Sequence, residues 1–322
     1  MRILLTGAGG PSAISVWKSL DGAHELHMAD MDPCASGLYL VPPERRLLLP
    51  RGDAPGFPAH VLEVCRERAI ELVISTVDAE LIPLARTHAD FAARGVQLPL
   101  APVPCLELCR DKHALLTALA PAVAVPATRL LTAEVARAPG PLPQFVKPRL
   151  GAGSRGAMVV DSATQLAVLP QDGSILLQEW LPGEEYSVDV YVRSGGQVIA
   201  AVPRERMKTD SGIAVAARTR DLPDVIDAAV AAASAAGVRY VANVQLRRAR
   251  DGRCKLLEIN PRFPGTLPLT AAAGVDLPKL LVADVNGEPL PEGRLPFKEI
   301  MVVRYWAEHF LDPREWEALC RK

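Results

Sequence analysis

Several ingredients are missing from this 322-residue sequence, and each absence closes a class of function. Its 36 lysines and arginines against 37 aspartates and glutamates leave a formal charge of −1, so no one-signed field draws it to nucleic acid or to an anionic membrane. Compact phosphate recognition survives that exclusion, because it needs only a few local cations. No apolar run reaches the ~20 residues that span a bilayer. The chain opens on strand-like Met1-Arg-Ile-Leu-Leu-Thr6 without a signal-peptide pattern, and a reducing, cytoplasmic setting is expected. Six cysteines are scattered at 34, 65, 105, 109, 254 and 320. Cys105 and Cys109 form a C-x₃-C pair, but no second pair or nearby histidine completes a zinc set, so free thiols are expected. The six histidines lie outside every motif described below and form no triad. No internal repeat is visible.

What is present is a chain long enough for two domains or three small ones, with 49% hydrophobic residues to fill their cores. The first hundred residues alternate strand and helix: strand 3–6, helix 12–20, strand 25–29, a helix ending at 68, strand 72–75, helix 79–94 and a short strand 96–98. That alternation predicts an α/β unit with a parallel sheet. A second unit starts near Cys105 with a helix over 106–119, then strands 144–147, 158–160 and 175–178. The third reads as antiparallel strands 186–192, 197–203, 241–247 and 254–259, covered by helices 223–236 and 270–286. The expected domains are 1–104, 105–182 and 183–322.

Four motifs carry chemistry. Residues 256–262, Leu-Leu-Glu-Ile-Asn-Pro-Arg, and Asn243-Val-Gln245 read as a hairpin around the polar turn at 249–252. Strand alternation puts Glu258 and Asn260 on one face, with Gln245 able to face them from the partner strand. One carboxylate between two amides, with Arg262 just beyond, suits magnesium shared with a phosphate. Taken alone, the segment is explained equally well by a Glu258–Arg262 surface ion pair and a plain turn. The opening Gly7-Ala-Gly-Gly10 with Asp30 invites a dinucleotide reading, but the third glycine of that fingerprint falls on Ser12 and Gly10-Pro11 alters the turn. The alternative is a sharp turn that leaves helix N–H groups to a small anion.

A second glycine loop, Gly151-Ala-Gly-Ser-Arg-Gly156, joins two strands after Lys147 and is neither a Walker loop nor a Rossmann turn. Such a β–β loop can fold over a triphosphate and offer backbone donors, including those at Gly151, Gly153, Ser154 and Gly156, while Lys147 meets phosphate oxygens. An exposed hairpin with a snorkelling lysine is the competing account. In Gln178-Glu-Trp-Leu-Pro-Gly-Glu-Glu185, backbone groups around Glu179 and Leu181 are free to pair with an adenine edge. Glu185 is placed for two ribose hydroxyls, although a solvated acidic turn accounts for the segment by itself.

In this order and spacing the motifs resemble the ATP-grasp superfamily, and the chain looks most like single-unit relatives of the carbamoyl-phosphate synthetase large subunit. The resemblance covers nearly the whole chain and implies an ATP-grasp fold behind an amino-terminal Rossmann-like domain, with ATP and magnesium (manganese as a substitute) as cofactors. It implies that Lys112 and Lys147 contact phosphates, that Glu179 and Leu181 hold adenine through their backbones, and that Glu185 holds the ribose. Gln245, Glu258 and Asn260 match the metal ligands, Arg262 the phosphate-binding arginine, and Arg204 an arginine facing the transferred phosphoryl or acyl group. The chain departs from the synthetase branch after Asn-Pro-Arg: it continues Phe263-Pro-Gly-Thr266 where that branch tends to carry a further arginine, which speaks against its bicarbonate chemistry.

Members of the superfamily typically turn a carboxylate into an acyl phosphate that an amine attacks, so no protein nucleophile is required. A carboxylate–amine ligase acting on amino acids or similar small molecules is the expectation, with a homodimer compatible. Asp78 or Glu80 in Thr76-Val-Asp-Ala-Glu80 is a candidate for a substrate ammonium, or Asp78 is a helix N-cap. The rivals are a small-molecule kinase, a nicotinamide oxidoreductase built on Gly7–Ser12, and an ATP-binding regulatory module.

Overall fold

A computed structural model of the chain describes residues 1–151, 153 and 155–321. β1 (Arg2–Thr6) turns at Gly7 into α1 (Pro11–Leu20); β2 (Glu25–Asp30), β3 (Arg46–Leu48), α2 (Phe57–Arg68), β4 (Leu72–Ile74), α3 (Asp78–Arg86) and α4 (His88–Ala92) follow. The four strands are parallel in the order β3-β2-β1-β4. Ile3 and Leu5 enter one core and Leu4 the other, the mark of a strand covered on both faces. The expected strand at 96–98 is only a bridge from Gln97 to Leu72. The expected helix 79–94 is broken at Thr87.

α5 (Val103–Arg110), α6 (Lys112–Leu119), β5 (Thr128–Thr132), α7 (Ala133–Arg137), β6 (Gln144–Pro148), β7 (Met158–Val160), α8 (Ala163–Ala167) and β8 (Asp172–Glu179) come next. The single helix expected over 106–119 is two, because Asp111 stops the first and caps the second: its Oδ1 accepts from the N–H of His113 (3.0 Å) and Ala114 (3.2 Å). The sheet β5-β8-β6-β7 is antiparallel and closes on a small core of Leu131, Val146, Val160, Leu166 and Leu177. α5 and α6 do not share it; Leu106, Leu115 and Leu116 join the core under the third sheet.

That sheet is built from β9 (Glu185–Val192), β10 (Val198–Asp210), β11 (Ile213–Thr219), β12 (Tyr240–Arg248), β13 (Cys254–Asn260) and β14 (Met301–Val303), with α9 (Pro223–Ala235), α10 (Leu267–Ala272), α11 (Leu277–Val285) and α12 (Pro313–Cys320) around it. Its order is β13-β12-β9-β10-β11-β14, antiparallel throughout. The helix expected over 270–286 divides near Gly274, whose φ of +111° a residue with a Cβ adopts only under strain. One face of the sheet, through Val188, Val190, Val244 and Leu246, packs on α9. On the other face Tyr191, Val202 and Val241 meet α1 and α11, which anchors the amino-terminal unit there. All six cysteines are free, and four of them are buried. Among the described residues no helix is long and apolar enough to cross a membrane.

Candidate active site

The exposed end of that second sheet face gathers the candidate side chains. Period-2 alternation sends Tyr186, Val188 and Val190 to the α9 core and leaves Glu185, Ser187 and Asp189 on the other side. Register then aligns a row across four strands: Glu258 opposite Gln245, Gln245 opposite Ser187, Ser187 opposite Arg204. Asn260 lies in the neighbouring row, opposite Asn243, and its Nδ2 donates to Glu258 Oε1 at 3.1 Å.

Two lysines approach this row from the preceding elements. Lys112, at the start of α6, donates to the Gly151 carbonyl (2.5 Å) and stands 3.8 Å from Glu258 Oε2. Lys147 on β6 is buried and donates to the Leu257 carbonyl at 3.1 Å. Burial, and then the Lys112 ammonium, pull its pKa down to about 8 against the opposing pull of Glu258 and Glu185.

These lysines line a cavity of about 360 Å³ together with Phe145, Trp180, Leu181, Glu185, Gln245 and Glu258, a volume in the range of small-molecule sites. Gly151 and Gly153 form its rim with φ of +121° and +74°; Gly156, at +71°, closes the turn against Pro148. Ser154 lies outside the described residues. The N–H and side chain of Glu179 are committed elsewhere, and among the described residues its backbone carbonyl is not. Its N–H donates to the Ala127 carbonyl (2.8 Å), and its carboxylate takes the Ala127 N–H (3.1 Å) and Lys255 Nζ (2.6 Å). The N–H of Leu181, by contrast, has no partner among the described residues. Glu185 is held by Arg206 Nε (3.0 Å) and Arg247 Nη1 (3.4 Å).

A second cavity of about 630 Å³ adjoins the first and shares Gly153, Arg155, Gln245 and Glu258 with it. The carboxyl ends of the parallel strands open into it through Gly7, Asp30 and Thr76, the usual ligand-facing edge of such a sheet. Arg262 and Asp78 meet across it in a two-pronged ion pair, both contacts 2.8 Å. Asp78 is the first residue of α3 and not its N-cap, which is Val77. Glu80 is unsuited to hold a substrate ammonium: it is buried, accepts hydrogen bonds from Thr6 and Ser75, and burial pushes its pKa up to about 7. Asp30 fastens its own turn by accepting the N–H groups of Gly9 (2.8 Å) and Asp32 (3.0 Å).

Arg204 faces this cavity, yet two of its nitrogens are already engaged. Nε and Nη2 grip buried Asp189 at 2.8 and 2.6 Å, leaving Nη1 and the second Nη2 hydrogen for a ligand. Asn243 (2.9 Å) and Thr270 complete the shell of Asp189. Asp189, Arg206 and Arg247 were not foreseen as site residues, although alternation carries a signal for each. They lie two residues from Ser187, Arg204 and Gln245 respectively, on the same strand faces.

The donor set fits a hard cation. Among the described residues no three His, Cys, Asp or Glu side chains gather, but Gln245, Glu258 and Asn260 offer one carboxylate and two amide oxygens within a single patch, the oxygen-only chemistry magnesium takes.

Residues 171–309 match the family model described as "ATP-grasp in the biosynthetic pathway with Ter operon", and residues 3–99 match "PylC-like, N-terminal domain". The chain has the ATP-grasp fold. Solved structures share its fold. They include the biotin carboxylase domain of Hydrogenobacter thermophilus 2-oxoglutarate carboxylase with MgADP and bicarbonate (17% identity, TM-score 0.71, 92% of this chain and 72% of that one). The Staphylococcus aureus N5-carboxyaminoimidazole synthetase is another (14%, 0.71, 93% and 81%). An L-amino acid ligase from Bacillus licheniformis is a third (16%, 0.66, 88% and 74%). No curated protein matches the sequence. The matched models name branches other than the synthetase large subunit, so the finer kinship does not rest on them.

Proposed function

We propose that this ATP-grasp chain is an ATP-dependent carboxylate–amine ligase acting on an amino acid or similar small metabolite. ATP phosphorylates the carboxylate, the amine displaces phosphate from the acyl phosphate, and ADP and phosphate leave. The observation that carries the reading is the wall shared by the two cavities, Gln245 and Glu258, which brings a nucleotide-sized space and a substrate-sized space to one metal-binding patch. The fold of the L-amino acid ligase and of the MgADP-bound carboxylase domain supports it.

In this reading Leu181 N–H and the adjoining backbone pair with adenine, Glu185 meets the ribose, and Lys112 and Lys147 grip the phosphates beneath the Gly151–Gly156 loop. Magnesium held by Gln245, Glu258 and Asn260 would supply charge neutralisation at the terminal phosphates. Arg262 reaches the transferred group by sharing or leaving Asp78, and Arg204 contributes through Nη1. Catalysis is then positioning and neutralisation, with no covalent enzyme intermediate. The division 1–104, 105–182 and 183–322, a cytoplasmic setting and a homodimer belong to the same proposal.

Screening amino-acid pairs for ADP release, with mass detection of product, tests it. A ligated product with stoichiometric ADP supports the ligase. ADP with a phosphorylated product and no use of the amine makes the chain a kinase, and tight NAD(P)H binding would restore the oxidoreductase.

The pH dependence of nucleotide binding follows from Lys147. Its ammonium begins to titrate near a pKa of about 8 in the free protein, whereas a bound polyphosphate holds the proton on. MgADP affinity is therefore expected to fall by up to roughly tenfold per pH unit above that value, and Lys147→Met should bind weakly with a flat profile; calorimetry from pH 7 to pH 9.5 reads both. The unfolded chain holds this proton more tightly (10.5 against about 8), so Lys147's own contribution to stability rises across that window.

A further inference from the structure

We infer that the junction between the start of α1 and the Gly265–Thr266 turn is an oxyanion subsite, holding a carboxylate or phosphate group that the acceptor substrate carries away from its reacting end. The inference rests on the ligase reading and narrows its substrate to a molecule with such an anionic handle.

α1 begins Gly10-Pro11-Ser12, with no side chain capping it and its first intrahelical bond running from Ile14 N–H to the Gly10 carbonyl. Pro11 has no N–H, which leaves those of Ser12 and Ala13 without a helical acceptor at the positive end of the helix. A bare helix start is common and by itself says nothing. Here two hydroxyls accompany it. Ser12 is 8% exposed and Thr266 5% exposed, both line the second cavity, and neither Oγ has a hydrogen-bond partner among the described residues. Thr266 even occupies the N-cap position of α10 without its side chain capping that helix. Each residue is thus packed in while its hydroxyl stays open to the cavity, where a ligand or water can complete it.

Gly265 lets the two elements meet: a Cβ there would lie 2.8 Å from Pro11 Cγ and 3.9 Å from the Ser12 nitrogen, so any side chain would push the turn away from the helix start. One cation without an acid partner among the described residues stands beside the turn. Arg304 donates to the Gly265 carbonyl at 3.0 Å, has no ion-pair partner among the described residues, and is close enough to Arg204 for the two guanidiniums to repel. The nearest acid of the glycine turn, Asp30, is tied into its own loop by the Gly9 and Asp32 N–H groups.

The test is a titration of the full chain, saturated with MgADP so that the nucleotide's phosphate contacts are occupied, with acetate and with methyl phosphate as probes. The wild type should bind at least one of them, and the stronger identifies the handle as carboxylate or phosphate ester. The Ser12→Ala/Thr266→Val variant should lose at least tenfold in that affinity while keeping its MgADP affinity and thermal midpoint. Gly265→Ala should lose it too; if that variant fails to fold, the hydroxyl variant decides. Equal anion affinity in wild type and hydroxyl variant, or no binding of either probe to the wild type, overturns the inference. Failure of MgADP to bind would instead strike the ligase reading, and the anion titration run without nucleotide would still judge the subsite.

Discussion

Replacing Glu258 with alanine is expected to abolish turnover and leave the protein folded. Glu258 is the one carboxylate in the Gln245–Glu258–Asn260 patch, so its loss removes the only formal negative charge the patch offers a cation. It also removes the anion that stands 3.8 Å from Lys112 and that helps keep Lys147 protonated. Losing one preorganised electrostatic contact typically costs ~10²–10³ in rate, and here a metal ligand and a lysine counter-ion go together, so the loss should reach at least that range. The fold should tolerate it, because the side chain is partly exposed at the cavity while its strand neighbours Leu256 and Ile259 supply the core contacts. ADP release against a thermal unfolding curve measures both halves. Wild-type turnover in a folded Glu258→Ala protein would remove this patch from the mechanism.

The second large effect concerns stability. Asp189→Ala should destabilise the protein by about 3–5 kcal/mol, the range found when one partner of a buried ion pair is deleted. Asp189 is fully buried and Arg204 nearly so, and the guanidinium would be left in the sheet with its main acceptor gone. Asn243 and Thr270 would lose their shared acceptor as well. Urea unfolding should show a lower midpoint at an unchanged slope. A loss below about 1 kcal/mol would mean that water reaches the pair and that Arg204 is freer than its contacts indicate.

Much of this arrangement was readable from strand periodicity. Alternation alone puts Glu258 and Asn260 on one face, and the polar turn at 249–252 pairs their strand with that of Gln245; a β-bulge at Leu257, which no local pattern states, then sets Gln245 opposite Glu258. What escaped depends on other parts of the chain. Arg262 meets Asp78 across 184 residues, a pairing that exists only once two units are docked. Arg204 belongs to Asp189 because β9 and β10 pair in one register, which no local pattern states. β11 was overlooked since Ile213-Ala-Val-Ala-Ala-Arg-Thr219 is rich in alanine, a poor strand former that here is kept extended by its neighbours. The breaks at Asp111 and Gly274 did leave traces, a capping aspartate and a glycine inside apolar periodicity, but hydrophobic spacing continued across both.

Because Glu185, Ser187 and Asp189 alternate with Tyr186, Val188 and Val190 along one strand, the cavity-facing surface and the greasy interior are the two sides of a single ribbon. Adding or deleting a single amino acid within β9 or β12 would exchange them, burying acids and exposing valines. Descendants of this protein can therefore acquire new specificities by swapping side chains in place, while changes of length are confined to turns such as 249–253.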